Sequence, residues 1–122
     1  MITKELLTEV LGKQVVKFKV KPRTVAVKYM KYGKSISGND YQTIERLFIN
    51  KYELAYKCKE LALKYDIELL STLGYCYIEY KNYEDNNIYF EDYAKSFKAD
   101  TEPEAIFEAC QWILENKELK DD

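Results

Sequence analysis

The chain has 122 residues, of which 47% are apolar and 33% are charged, and its formal net charge is −2. This length predicts one domain, spanning residues 1–122, whose core is large enough to fold without disulfides or metals. The sequence contains no histidine, which excludes Ser-His-Asp and Cys-His nucleophilic systems and His-ligated zinc. Glycine-rich phosphate loops and calcium-loop motifs are also absent from it. We therefore predict a non-enzymatic protein with no cofactor and no metal site.

The cysteines and the apolar segments indicate the cellular compartment in which the protein acts. Cys58, Cys76 and Cys110 are far apart in the chain and are flanked by apolar residues. This pattern is typical of reduced thiols that are buried as small hydrophobic side chains. No apolar run approaches the roughly 20 residues that cross a bilayer, and the first residues lack the basic-then-apolar order of a signal peptide. We expect a cytoplasmic protein with no membrane partner.

The first half of the chain predicts a short helix followed by strands. Thr3 can cap a helix from Lys4 to Leu11. Apolar and charged residues alternate from Gln14 to Lys21 and again from Thr24 to Lys31, as in half-buried strands. The buried face of the first strand is predicted to consist of Val16, Phe18 and Val20. The segment from Gln42 to Ile49 is compatible with a strand or with a helical turn.

The second half predicts two longer amphipathic helices with strands between them. A capping box at Asn50 begins one helix, and another at Thr101 begins the closing helix. A hairpin around Leu73 and Gly74 joins two strands, and a further strand lies between Ile88 and Ala99. Residues 118–122 are expected to fray. The predicted fold is α+β, with an antiparallel sheet of about five strands, two long amphipathic helices packed on it and a short N-terminal helix.

Two segments resemble a known group of proteins. The sequences INKYELAYKCKE at 49–60 and TEPEAIFEACQWILE at 101–115 are similar to segments of small phage and prophage proteins of the phage ABA-sandwich type. This resemblance implies an accessory protein that acts inside a bacterial host, and it transfers no catalytic residues. From Asn50 onward the order α-β-β-β-α also resembles the double-stranded RNA-binding domain. That family binds phosphates with lysines at the start of its last helix, where this chain has Glu102 and Glu104.

Charge is unevenly distributed along the sequence. Residues 1–49 contain ten Lys/Arg and four Asp/Glu, whereas residues 50–122 contain nine Lys/Arg and seventeen Asp/Glu. One interpretation is a basic patch that binds the phosphates of nucleic acid. It would be formed by Lys13, Lys17, Lys19, Lys21, Arg23, Lys28 and Lys31. The simpler interpretation, which the sequence favours, is a solvated strand face whose lysines prevent edge-to-edge pairing.

Tyrosines and acidic residues suggest a second surface. Twelve tyrosines in one small domain indicate a protein–protein interface, because tyrosine offers a large rigid contact area and a hydroxyl group. Acidic residues near several of them could imitate a nucleic-acid backbone, or they could simply increase solubility. The predicted partner-binding residues are Tyr75, Tyr77, Tyr83, Glu84, Asp85, Tyr89, Glu91, Asp92 and Tyr93.

These observations lead to two main hypotheses about function, beside a third in which carboxylates or a lysine catalyse a reaction in a pocket. The first is a small phage-type binding protein that inhibits or modulates a host protein, such as a nuclease or a defence complex, with anti-CRISPR or other anti-defence activity. The alternative is an accessory protein that binds nucleic acid through the basic N-terminal hairpin. Either protein could form a homodimer through a sheet edge or a tyrosine patch.

Overall fold

The computed structural model describes residues 2–80 and 95–120, with side chains up to residue 116. Its elements in chain order are α1 (Lys4–Leu11), β1 (Gln14–Val20), β2 (Thr24–Lys34), β3 (Asp40–Asn50), α2 (Lys51–Leu63), β4 (Ile67–Thr72), β5 (Tyr75–Tyr80), β6 (Lys95–Lys98) and α3 (Glu102–Lys120). The predicted α+β class is confirmed. None of the helices in this part of the chain is long and apolar enough to span a membrane.

The described strands form two antiparallel sheets of three strands each, in the orders β1-β2-β3 and β4-β5-β6. The prediction of one sheet with about five strands is therefore wrong. Helix α2 begins directly after β3 and packs against both β3 and β4. In the chain order the helix thus separates the two groups of strands, and the described strands pair only with described strands next to them in sequence. From α2 onward the described elements follow the order α-β-β-β-α that the sequence predicted.

The three helices of the described part of the chain pack on one another and on the sheets around one hydrophobic core. Helix α3 contacts all three strands of the second sheet as well as α2, and α1 packs on β1. The largest fully buried side chains are Phe107, Leu6, Leu7, Leu54, Ile78, Ile113, Val25, Val27, Cys58, Cys76 and Cys110. All three cysteines are free and buried, as predicted.

The helices begin where the sequence predicted. The backbone N–H of Tyr52 donates to Asn50 Oδ1 at 2.7 Å and caps α2, while the N–H of Leu6 donates to Thr3 Oγ1 at 3.1 Å and caps α1. The Thr3 hydroxyl also donates to Gln111 Oε1 at 2.7 Å. A single cap therefore satisfies the first turn of α1 and connects it to α3.

A β-bulge in β1 changes which valine is buried. Val15 pairs with Tyr29 and Lys17 pairs with Lys28, so Val16 is an extra residue between two ladder positions. Val15 is 5% exposed and Val16 is 41% exposed. The prediction that Val16 belongs to the buried face is wrong, because the bulge shifts the alternation by one residue.

Strands β2 and β3 form a long hairpin that extends beyond the core. They pair along their whole length from Thr24 with Asn50 to Lys34 with Asp40. Only the end of the hairpin nearest the helices contains fully buried side chains, and both strands become exposed towards the turn at residues 35–39. Near that turn the ring of Tyr41 lies against Gly33, where a Cβ would approach the ring within 2.6 Å. A cross-strand aromatic ring thus covers this glycine.

Candidate nucleic-acid interface

The register of the first sheet separates its residues into two faces. Residues that are directly opposite in an antiparallel pair share a face, and successive residues alternate. The buried face includes Val15, Phe18, Val25, Val27, Leu47 and Ile49, which contact the core. The opposite face presents Lys17, Lys19, Ala26, Lys28, Met30, Ile44, Arg46 and Phe48. Among the described residues no helix covers this second face, and its charged side chains are exposed.

Three cations form a row across this uncovered face. Lys17 of β1 is directly opposite Lys28 of β2, and Lys28 is directly opposite Arg46 of β3. All three residues are exposed. None forms an ion pair with another described residue. Like charges directly opposite one another destabilise a sheet, and a bound polyanion would reduce this repulsion.

An exposed aromatic ring lies beside the row. Phe48 follows Arg46 by two residues on the same face and is 65% exposed. Lys19 is in the same cross-strand row as Phe48, and Lys21 Nζ lies 5.9 Å from the centre of the Phe48 ring. We call the surface formed by Lys17, Lys19, Lys28, Arg46 and Phe48 the basic face. It combines positive charge with a ring that is free to stack.

Negative charge is nearly absent from this side of the sheet. The strands and turns of residues 14–50 contain eight Lys/Arg and two Asp/Glu. Asp40 is on the uncovered side at the far end of the hairpin, where Lys34 Nζ lies 3.4 Å from its carboxylate. Glu45 pairs with Tyr29 on the other side. The uneven charge of the sequence is therefore kept in the folded molecule.

The structure brings together some of the predicted nucleic-acid-binding residues and separates others. Lys17, Lys19 and Lys28 lie on the basic face, with Lys21 beside it. The remaining three are placed elsewhere. Lys31 pairs with Thr43 on the opposite face, Lys13 Nζ lies 4.5 Å from the centre of the Tyr29 ring, and Arg23 lines a separate cleft.

Arg46 and Phe48 lie on the basic face but were not among the residues predicted from the sequence. They lie in the segment that was compatible with a strand or a helical turn. Both faces of β3 contain apolar residues, so hydrophobicity alone does not show the two-residue period of a strand. The turn residues at 35–39 between two β-rich runs were the available signal for a hairpin.

A cleft of about 480 Å³ opens where the β1–β2 turn meets the first turns of α2 and α3. Its lining includes Arg23, Lys51, Tyr52, Pro103 and Glu104. Lys51 Nζ lies 3.9 Å from the Glu104 carboxylate. The lining of the cleft therefore includes one acid, and this acid forms an ion pair with a neighbouring lysine.

The second sheet presents part of the predicted partner-binding surface. Tyr75 and Tyr77 of β5 lie on its uncovered face with their rings 6.2 Å apart and nearly parallel. Leu70 is directly opposite Tyr77, and the three side chains are 39–43% exposed. The other predicted partner-binding residues lie outside the described part of the chain. They are Tyr83, Glu84, Asp85, Tyr89, Glu91, Asp92 and Tyr93.

Two of the buried thiols, those of Cys58 and Cys76, have a raised pKa. Burial raises the pKa of Cys76 to about 12. A hydrogen bond with Cys110 and burial raise the pKa of Cys58 well above its usual value. A nucleophilic cysteine requires a lowered pKa and solvent access, so these residues serve as core side chains.

Comparisons of the chain with protein-family models, with curated proteins and with solved structures found no match. The resemblance to phage ABA-sandwich proteins therefore stays a prediction.

Proposed function

We propose that the protein binds single-stranded nucleic acid on the basic face. The observation that supports this proposal is the row of Lys17, Lys28 and Arg46, three exposed cations directly opposite one another on adjacent strands. The fold gains nothing from this arrangement, since such neighbours repel each other. A nucleic-acid backbone supplies the compensating charge.

The geometry of the face favours an unpaired strand as the ligand. Neighbouring strands of a sheet are about 4.8 Å apart, so the three cations form a narrow positive track that a flexible phosphate backbone can follow. Phe48 is exposed beside this track. An aromatic ring binds unpaired bases by stacking, whereas bases within a duplex already stack on each other. Phosphate contacts and stacking together require no particular base sequence.

The first test is the dependence of affinity on salt, measured by fluorescence anisotropy with a labelled oligothymidylate. Five cations are available if Lys19 and Lys21 join the row. For single strands, five phosphate contacts give a log–log slope of about −3.5, or roughly a hundredfold loss of affinity between 50 and 200 mM salt. The triple variant Lys17→Gln, Lys28→Gln, Arg46→Gln should reduce the slope to about −1.4.

A matched pair of variants separates the basic face from general charge. Lys28→Gln and Lys31→Gln change the same residue type on the same strand and alter the net charge equally, but Lys31 is on the opposite face. We expect Lys28→Gln to weaken binding and to lower the slope by about 0.7. Lys31→Gln should bind like the wild type. An equal loss of affinity in both variants would show that the nucleic acid responds to the charge of the protein without binding on this face.

Phe48 distinguishes stacking from charge. Phe48→Ala should weaken binding to oligothymidylate but leave the salt slope unchanged, because no phosphate contact is lost. Tighter binding to a duplex of the same length, unaffected by Phe48→Ala, would contradict the single-strand assignment. No binding of either ligand at low salt would remove the proposed function altogether.

A second candidate function is modulation of a host protein through the uncovered face of the second sheet. The observation that favours it is the exposed patch formed by Leu70, Tyr75 and Tyr77. Stacked tyrosines beside an aliphatic side chain are typical of the centre of a protein interface. The phage-type and anti-defence hypotheses belong to this candidate, and they depend on the sequence resemblance.

The host-protein hypothesis is tested with a pair of double variants in a bacterial lysate. Tyr75→Thr with Tyr77→Thr removes the patch while keeping residues suited to a strand. Tyr52→Thr with Tyr56→Thr is the control, because these tyrosines are 64% and 65% exposed on α2. A protein captured by the wild type and the control, but lost with the first variant, would support this function. Capture that is equal in all three would contradict it.

A further inference from the structure

The outer edge of β3 is an unused site for strand pairing. β3 pairs with β2 along its full length on one side. Within the described residues, no strand pairs with its other side. In an antiparallel ladder about half of the N–H and C=O groups of an edge strand point outward, where they can accept another strand.

The two edges of the first sheet differ in how well they are protected against pairing with another strand. At the β1 edge, the bulge at Val16 interrupts the ladder and two lysines lie within the strand. Both features hinder pairing with another chain. β3 has eleven residues, DYQTIERLFIN, with no proline, glycine or lysine. Its register with β2 is unbroken, and its composition favours strands. This edge is therefore regular, long and unprotected.

We propose that β3 pairs with β3 of a second copy of this chain, in antiparallel orientation around a two-fold axis. The two three-stranded sheets would then form one sheet of six strands. The inference goes beyond the proposed function, since it needs no nucleic acid. It specifies the partner as this chain itself, for a reason that lies in the sequence of the strand.

The register follows from which residues would meet. Directly opposite residues share a face, so the two-fold axis must pass through a residue position. An axis at Glu45 or at Arg46 places two like charges against each other, which is destabilising. An axis at Thr43 would place the exposed Ile44 opposite the polar Gln42. An axis at Ile44 instead pairs Ile44, which is 50% exposed in the single chain, with its own counterpart, and we choose this register because it covers that apolar side chain. The remaining pairs would be Glu45 with Thr43, Arg46 with Gln42, Leu47 with Tyr41, and Phe48 with Asp40.

The same symmetry would enlarge the basic face. A two-fold axis perpendicular to the sheet keeps the uncovered faces of both copies on one side. The rows of Lys17, Lys28 and Arg46 from the two copies would then lie on one continuous surface. Binding of one longer strand to both rows would follow from this surface, although the dimer itself forms without it.

The charge variant Ile44→Lys tests the dimer. The substitution places two lysines at the two-fold axis and should give a monomer at concentrations where the wild type is a dimer, as measured by sedimentation velocity without nucleic acid. Ile36→Lys is the matched control, because Ile36 is fully exposed in the hairpin turn. Ile44→Lys should still bind oligothymidylate, so failure of the dimer and failure of the proposed function give different results. A wild-type chain that is monomeric over a hundredfold range of concentration would overturn the inference.

Cysteine crosslinking tests the register. The native cysteines are buried, so one introduced thiol on β3 is the accessible one. With an added mild oxidant, Ile44→Cys should crosslink to itself, since directly opposite strand positions are within disulfide range. A mixture of Gln42→Cys and Arg46→Cys should crosslink more than either variant alone. Faster self-crosslinking of Arg46→Cys than of Ile44→Cys would overturn the proposed register.

Discussion

Replacing Lys28 should stabilise the fold while it weakens binding. Lys28 is the middle cation of the row and is directly opposite both Lys17 and Arg46. Threonine is a suitable replacement, because it favours strands and has no charge. The variant Lys28→Thr removes two repulsive pairs and leaves the buried face of the sheet unchanged. A residue retained for binding at the expense of stability should behave in this way.

The size of the effect can be worked out from the spacing of the strands. Directly opposite side chains begin about 5 Å apart at Cβ. If the charged ends spread to about 7 Å, Coulomb's law in water gives about 0.6 kcal/mol for each pair. At 0.1 M ionic strength the Debye length of about 10 Å reduces this value by about half. Two pairs therefore destabilise the sheet by about 0.6 kcal/mol at 0.1 M and by about 1 kcal/mol at low salt.

The assay is thermal unfolding followed by circular dichroism at several salt concentrations. For a domain of this size, 0.6 kcal/mol corresponds to an increase in Tm of about 2 °C, rising to about 4 °C at low salt. The gain should vanish near 1 M salt, where the Debye length is about 3 Å. Lys31→Thr is the control, because Lys31 is directly opposite Thr43, and it should show no such salt-dependent gain.

A second background tests whether the gain arises from the row. In the variant Arg46→Thr one of the two repulsive pairs is already absent, so Lys28→Thr should then add only about half as much stability. A Lys28→Thr variant no more stable than the wild type at low salt would show that the three cations do not repel one another. A gain that is the same at all salt concentrations would show that it does not arise from charge.

Three further predictions concern the core and the helix ends. Phe107 is 1% exposed, so Phe107→Ala should lower the free energy of unfolding by about 3–5 kcal/mol in urea titrations, whereas Phe48→Ala at the exposed site should change it by less than about 0.5 kcal/mol. Asn50→Ala removes the cap of α2 and should cost about 1 kcal/mol in the same assay; no loss would show that another group satisfies the first turn. Burial raises the pKa of Cys76 to about 12, so as the pH rises the unfolded chain loses this proton before the folded chain does. The stabilisation that results is complete below about pH 8.5, and the free energy of unfolding should fall by about 1.4 kcal/mol per pH unit above that pH. Cys76→Ala should reduce this slope in denaturation measured from pH 9 to 11.

Local sequence signals predicted the helices well because the determinants of a helix end are close together in the chain. Thr3 and Asn50 cap their helices as expected, and Thr101 Oγ1 accepts a hydrogen bond from the N–H of Glu104 at 3.3 Å. The number of sheets could not be obtained in this way. It depends on where α2 packs after β3, which involves contacts between residues distant in sequence.

The basic face was only partly predictable for a related reason. Alternation alone could assign Lys17, Lys19 and Lys28 each to one face of its own strand. Their alignment with Arg46 depends on the register of two ladders, and the bulge at Val16 shifts one of them by a residue. Register is set by the turn and by the buried face of the whole sheet. A window of sequence around any one of these lysines does not contain that information.

The proposed binding of a polyanion by a chain with a net charge of −2 depends on where the charges are placed. Lys17, Lys19, Lys28 and Arg46 project from the uncovered side of the first sheet, whereas α1 and α2 pack on its other side. One layer of helices is about 10 Å thick, which is close to the Debye length at 0.1 M ionic strength. A phosphate backbone on the basic face would therefore interact mainly with that face and only weakly with charges on the far side of the helices. For this reason we expect Lys28→Gln and Lys31→Gln to differ in their affinity for nucleic acid, although they change the net charge equally. Net charge alone would predict the same affinity for both variants.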